Sequence, residues 1–202
     1  MAIEQLMYLV GLSAGLVFAI SGALAAAERN LDIVSFMLIG TVTGIGGGTL
    51  RDLILDAPVF WIGDTLYLWG CLLGSVATYF FNRFIAARHS LLVWMDAVGM
   101  ALFCVAGTAK ALSLGVPPIV AVTMGVITPT FGSLLRDVIL NQNPVLLGPE
   151  IYVTACALGA LVYLGLHSLG IAETTALLVA MGCALGLRGA AIIWDLRLPK
   201  FA

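Results

Sequence analysis

Polar positions along this chain are gathered into short clusters between long apolar blocks, without the two-residue alternation of half-buried strands. Apolar runs bounded by charged or turn residues cover 5–27, 33–48, 65–82, 91–112, 117–131, 150–167 and 174–194. A helix needs about 20 apolar residues to cross a bilayer, and the runs cluster around that length. Connectors are brief: Glu28-Arg29-Asn30 links the first two runs, and Asn82-Arg83 through Arg88-His89 links the third and fourth. Pro117-Pro118 opens the fifth, where a first helical turn tolerates proline. The pattern predicts an all-α membrane protein, seven transmembrane helices in a single membrane domain over residues 1–202.

The second and fifth runs are short and meet backbone breakers. The second reaches Gly44-Ile45-Gly46-Gly47-Gly48; the fifth reaches Thr128-Pro129-Thr130-Phe131-Gly132. Glycine costs about 1 kcal/mol in a helix interior and proline about 3 kcal/mol. The expectation is therefore two broken helices, each continuing as a short amphipathic stretch. Irregular backbone at membrane depth persists only inside protein or beside a wet cavity.

Composition sharpens this picture. The chain has 202 residues, 61% of them hydrophobic and 10% charged, with a mean hydropathy of +1.10. Soluble domains carry about 25% charged residues, so lipid must cover much of this surface. There is no room for a large soluble catalytic module. A net charge of −2 with no basic patch argues against a nucleic-acid partner. Cys71, Cys104, Cys156 and Cys183 sit in apolar runs with no Cys-x-x-Cys pair and read as packing residues. Ala25-Ala26-Ala27 imitates a signal-peptide cleavage site, but no Lys or Arg precedes the first run, which is also too long for such a segment.

The chain repeats itself. Arg51-Asp52 recurs 85 positions on as Arg136-Asp137, and at the same offset Gly22, Gly40 and Gly47 meet Gly107, Gly125 and Gly132. Phe18, Thr43, Tyr67 and Cys71 likewise meet Phe103, Thr128, Tyr152 and Cys156. Chance likeness between apolar segments would favour Leu and Ala rather than glycines and charges. The repeats cover about 5–85 and 90–170, with a seventh helix at about 173–195. Three spans per copy is an odd number, so the second copy enters from the opposite face. This is an inverted 3+3 repeat, an architecture whose sites lie near the midplane at broken helices. The positive-inside rule sets Arg29, Arg83, Arg88, Arg136, Arg197 and Lys200 against Arg51 and Lys110, and predicts an outer N-terminus and a cytoplasmic C-terminus.

Broken helices of this kind would present carbonyl ends that favour a cation. The pore and kink candidates are Gly44, Gly46, Gly47, Gly48, Thr49, Thr128, Pro129, Gly132 and Ser133; the competing reading makes the glycines close-packing residues. The candidate pore or gating charges are Arg51, Asp52, Asp96, Lys110, Arg136 and Asp137, since intramembrane charges are functional suspects. Against this, snorkelling would carry the cations to the interface, and Asp96 also suits a helix start. Adjacent helical residues point about 100° apart, so Arg51-Asp52 and Arg136-Asp137 are expected to bind other helices rather than themselves. Arg188 has Asp96 or Asp137 as partners, or snorkels. Asp32, Asp56, Asp64 and Glu150 read as helix-start or loop acids, the four tryptophans as an interfacial belt, and His89 and His167 as solvated. No spacing supports a metal site, and no motif of nucleophilic or metal-dependent catalysis is present, so no catalytic residue is assigned.

Several stretches together resemble one family. Gly46-Gly47-Gly48-Thr49-Leu50-Arg51-Asp52, with Pro58-Val59-Phe60-Trp61, resembles a signature of the prokaryotic trimeric intracellular cation (TRIC) channels. Phe131-Gly132-Ser133-Leu134-Leu135-Arg136-Asp137, with Pro149-Glu150-Ile151-Tyr152, is similar to its other signature, and Asp96-Ala97-Val98-Gly99 and Gly107-Thr108-Ala109-Lys110 also fit. The resemblance spans nearly the whole chain. It departs where the second motif has one glycine rather than two, with Pro129 standing in as the breaker. The resemblance implies a homotrimer in a bacterial or archaeal plasma membrane, in contact with membrane lipids. Each subunit would form one pore from its first, second, fourth and fifth spans. The implied activity is passive conduction of monovalent cations, mainly potassium, with no cofactor beyond the permeant potassium or sodium. The alternative is a secondary transporter of a small zwitterion such as glycine.

Overall fold

The computed structural model describes residues 3–84 and 88–199; Lys200 and the side chain of Arg88, both counted in the charge balance, lie outside the described residues. The elements are α1 (Ile3–Glu28), α2 (Ile33–Ile54), a short α3 (Phe60–Gly63), α4 (Leu66–Phe81), α5 (Arg88–Ser113), α6 (Pro118–Ile139), α7 (Val153–Ser168) and α8 (Glu173–Ile193), with single 3₁₀ turns at Asn82–Phe84 and Val145–Leu147. Local chemistry explains the boundaries. Asp32 caps α2 by accepting the Ser35 amide at 2.8 Å. Pro117 and Pro118 open α6, and Gly115 and Gly170 take positive φ in the turns before α6 and α8.

Five helices (α1, α2, α5, α6 and α8) are long and apolar enough to cross a membrane. α4 and α7 have 16 residues each, which rise about 24 Å against a hydrocarbon core of about 30 Å. Four helices form a ring in the order α1, α2, α6, α5, each packed on the next, and α4 leans on α1 and α2 as α7 leans on α5 and α6. α8 packs on α7 and α5. At the α1–α5 contact Phe18 stacks on Phe103, with ring centroids 5.3 Å apart.

The two expected breaks are absent. α2 stays helical from Ile33 to Ile54 through all the glycines, and α6 from Pro118 to Ile139 through Pro129. The runs expected to end at 48 and 131 therefore extend by a further turn and more. Pro129 has no N–H to give the Gly125 carbonyl, but the neighbouring Thr128 and Thr130 hydroxyls donate to Met124 at 2.6 Å and Val126 at 2.7 Å. Such side-chain bonds stabilise a proline-bearing helix in a membrane. The glycines are used for approach instead. A Cβ on Gly132 would stand 2.7 Å from the Thr43 carbonyl, and one on Gly47 would overlap the Thr128 carbonyl. α2 and α6 thus cross backbone against backbone, as small residues permit. Among the described residues neither α2 nor α6 ends at its glycine or proline motif, so the expected carbonyl ends do not form there.

Hydrogen bonds recur at the 85-residue offset. Thr43 donates to Ile39 as Thr128 does to Met124, both at 2.6 Å. The Ala57 amide reaches the Asp52 carbonyl as Gln142 reaches Asp137. Asp56 and Asn141 both adopt positive φ.

Candidate functional site

Each Arg-Asp pair sits in the last turn of its helix, and each carboxylate has the same two duties. Asp52 Oδ1 accepts Arg51 Nε at 2.9 Å while Oδ2 accepts the Phe60 amide at 3.0 Å; Asp137 Oδ1 accepts Arg136 Nε at 2.9 Å while Oδ2 accepts the Val145 amide at 3.1 Å. This corrects the expectation that neighbours would not close on themselves. The carboxylate is drawn forward to cap the following turn, and the long arginine stem curls over to meet it. All four side chains are buried.

Beyond that common frame the two clusters differ. Lys110, from the end of α5, donates to both oxygens of Asp52 at 2.8 Å. It is turned inward rather than snorkelling, although 30% of its side chain stays exposed. The Phe60 ring lies 5.9 Å from both the Arg51 guanidinium and the Lys110 ammonium. In the second cluster the extra group is an acid. Arg136 Nη1 donates to Asp96 at 2.5 Å and to the Ser21 hydroxyl at 2.8 Å, which joins α6 to α5 and α1. Asp96 is thus a partner of Arg136 rather than a plain helix-start acid. Ion pairs with several hydrogen bonds are the form in which buried charges are tolerated.

A cavity of about 810 Å³ opens beside the first cluster, lined by Arg51, Phe60, Tyr67 and Lys110, with Glu4 and Glu173 among its outer residues. The start of α1 and the end of α5 share it, so those helices run antiparallel. The second cluster lies toward the other end of the ring, where Arg29 at the close of α1 donates to the Asn141 carbonyl. Between the two clusters stands the Gly47–Gly132 crossing.

The remaining candidates fall around this axis. Gly44 packs on the Gly15 carbonyl and Cys71, Gly46 on Leu135, and Gly48 on the Phe60 ring. Thr49 donates to Ile45 and accepts Trp61 Nε1 at 2.9 Å, which fastens α3 to α2. Trp61 therefore has a structural duty beyond the interface. Ser133 donates to the Thr130 carbonyl at 3.0 Å. Arg188 meets none of its expected partners. It binds Glu150 at 2.6 Å and lies over the Tyr152 ring, because the loop before α7 lies closer to α8 than the cluster does. His167 is half-exposed beside Glu173 at 3.1 Å, and Tyr163 bonds the same carboxylate. Sequence reasoning missed Ser21 and Phe60. Phe60 stood in a recognised motif; Ser21 carried no signal, being one hydroxyl in an apolar helix.

Known proteins are similar to this chain over most of its length. The family model described as "Glycine transporter" matches residues 6–83 and 93–168, one stretch in each half. A UPF0126 membrane protein of Vibrio cholerae is 39% identical, covering 98% of this chain and 84% of its own. The UPF0126 inner membrane protein YadS of Escherichia coli K12 is 39% identical, covering 98% and 97%. Among solved structures, the TRIC trimeric intracellular cation channel orthologue from Rhodobacter sphaeroides superposes with a TM-score of 0.92 at 41% identity, over 95% of this chain and 99% of that one. A prokaryotic TRIC channel in 0.5 M KCl gives 0.90 at 27%, over 96% and 100%. The resemblance to TRIC channels drawn from the motifs is thus found again in the fold, and these similar structures are ion channels, not enzymes.

Proposed function

This chain belongs to the family described as "Glycine transporter", and from that premise we propose that it is a passive monovalent cation channel, mainly for potassium. Each subunit of a homotrimer contains one pore, enclosed by the ring of α1, α2, α6 and α5. The observation that carries this reading is the axial order of the ring: an open vestibule, the Arg51-Asp52-Lys110 cluster, the Gly47–Gly132 crossing, then the Asp96-Arg136-Asp137 cluster. Charged side chains within a membrane bundle mark ion paths, and here both clusters bridge helices of the one ring. The crossing corresponds to a shut conformation. Opening needs α2 and α6 to part, and Pro129, which gives the Gly125 carbonyl no amide, supplies a weak point in α6.

The antiparallel α1 and α5, the recurring hydrogen bonds and the two family-model matches support an inverted 3+3 repeat plus α8, with α4 and α7 completing seven spans. The vestibule faces outward, the C-terminus is cytoplasmic, and the chain lies in the plasma membrane among lipids.

A second reading, a carrier for a small zwitterion such as glycine, draws on the family description and on a vestibule that offers Arg51 and Lys110 together with Glu4 and Glu173. Reconstituted liposomes separate the two. A potassium gradient alone should set a membrane potential across liposomes holding the protein. Saturable, counterflow-stimulated glycine uptake with no potassium current would overturn the channel.

A further inference from the structure

The turns that cap the two Arg-Asp pairs are anchored differently. The Phe60 turn is fastened to its own helix, since Trp61 Nε1 donates to Thr49 at 2.9 Å. At the 85-residue offset Thr49 meets Leu134, which has no hydroxyl to receive such a bond. The Val145 turn, whose amide caps Asp137 Oδ2 at 3.1 Å, is held instead by α8 and the residues after it, outside both matched halves of the chain.

Arg188 of α8 grips the loop just beyond this turn. Its Nη2 donates to Glu150 at 2.6 Å and its Nη1 to the Ile151 carbonyl at 3.4 Å, with the guanidinium over the buried Tyr152 ring. Past α8 the chain comes back to the same place. The Leu198 amide donates to the Pro149 carbonyl at 2.7 Å, and Arg197 lies opposite Glu150 in an antiparallel bridge. Pro144 and Pro149 flank the Val145 turn. Proline fixes φ, so the loop has fewer torsions with which to absorb a displacement at Glu150 before it reaches Val145. α8 also meets the other acid's helix: a Cβ on Gly189 would stand 3.3 Å from the Trp94 ring, two residues before Asp96.

We propose that Arg188, Glu150 and residues 195–198 form a strap that holds the Val145 amide on Asp137 and so keeps the Asp96-Arg136-Asp137 cluster closed. With the amide in place Asp137 is fixed against Arg136, and Arg136 ties α6 to α5 and α1. With the strap released, Asp137 loses its second donor, and the hold on Arg136 loosens. Glu150 and Arg188 are positioning residues, acting on the path through the Val145 turn without touching an ion. The strap rests on the channel reading for what closure blocks.

The test begins with Glu150→Gln, which removes the charge that holds Arg188 and keeps the side chain's shape. Hydrogen exchange of the purified protein reads the cap directly. The Val145 amide should exchange about tenfold faster than in wild type, the worth of one hydrogen bond to a charged group, while the Phe60 amide keeps its rate. No change at Val145 overturns the strap; equal acceleration at both amides makes Glu150 a general stabiliser and overturns it too. In liposomes the variant should raise potassium flux several-fold. Should Glu150→Gln fail to fold, Glu150→Cys combined with Arg197→Cys carries the test, because directly opposed residues of an antiparallel pair lie within disulfide reach. Its flux should be low when oxidised and rise several-fold on adding reductant, with wild type indifferent to both treatments. Wild-type flux that neither variant alters overturns the strap and leaves the channel. Absence of flux in every variant, with the exchange difference at Val145 intact, removes the channel and leaves the strap.

Discussion

Lys110 holds its ammonium 2.8 Å from each oxygen of Asp52 while part of its side chain faces the vestibule. A cation entering the ring meets that charge before any other in the cluster. Lys110→Gln should therefore raise potassium flux in liposomes several-fold by removing a repulsive charge at the mouth, with Arg51 still pairing Asp52. Flux equal to wild type would take Lys110 off the path. Glycine contacts give a second residue-scale prediction. Gly132→Ala should lower stability by about 1–3 kcal/mol, the usual range for overpacking, because its Cβ meets the Thr43 carbonyl. Gly182→Ala, where an added Cβ meets nothing within 4 Å, should leave the detergent unfolding temperature unchanged. If both behave alike, the crossing is looser than described. At this scale the sequence showed which residues were unusual for a membrane helix. It did not show their partners: adjacency argued against Arg51–Asp52 pairing, while the turn that follows each helix drew the carboxylate into reach.

α6 carries a proline, Pro129, in its interior. Its two flanking threonines satisfy nearby carbonyls, so the helix persists, yet the Gly125 carbonyl still lacks the amide that any other residue at 129 would supply. Pro129→Ala should restore that bond, raise the unfolding temperature and reduce flux, because α6 then resists the bend that opening requires. A rise in stability with undiminished flux would place the hinge elsewhere. The breakers in α2 and α6 were legible as exceptions from composition alone, but propensity measured in water overstated their effect. In a membrane an unpaired backbone group has no solvent to turn to, so the helix holds its bonds through Gly44–Gly48, and glycine there buys proximity.

Across the whole molecule, vestibule and buried cluster sit at opposite ends of one ring, and the orientation of that ring decides which solution sees which charge. Ser113→Cys, beside the vestibule, should react with a membrane-impermeant maleimide added to intact cells, whereas Asn141→Cys should react only after permeabilisation. The converse labelling would invert the topology. Cys71, Cys104 and Cys156 are buried and contribute little background.

Apolar run lengths, the 85-residue recurrence and the positions of the six candidate pore charges were all present in the sequence, because membrane residence, repetition and desolvation cost are properties of the residues themselves. Whether those charges joined into one cluster or two, whether the glycines broke a helix or brought two together, and where a cavity opened depended on which elements met. Those are distances between segments far apart in the chain. Helix packing sets them, by placing Lys110 against Asp52 and Asp96 against Arg136 so that each buried charge has a partner.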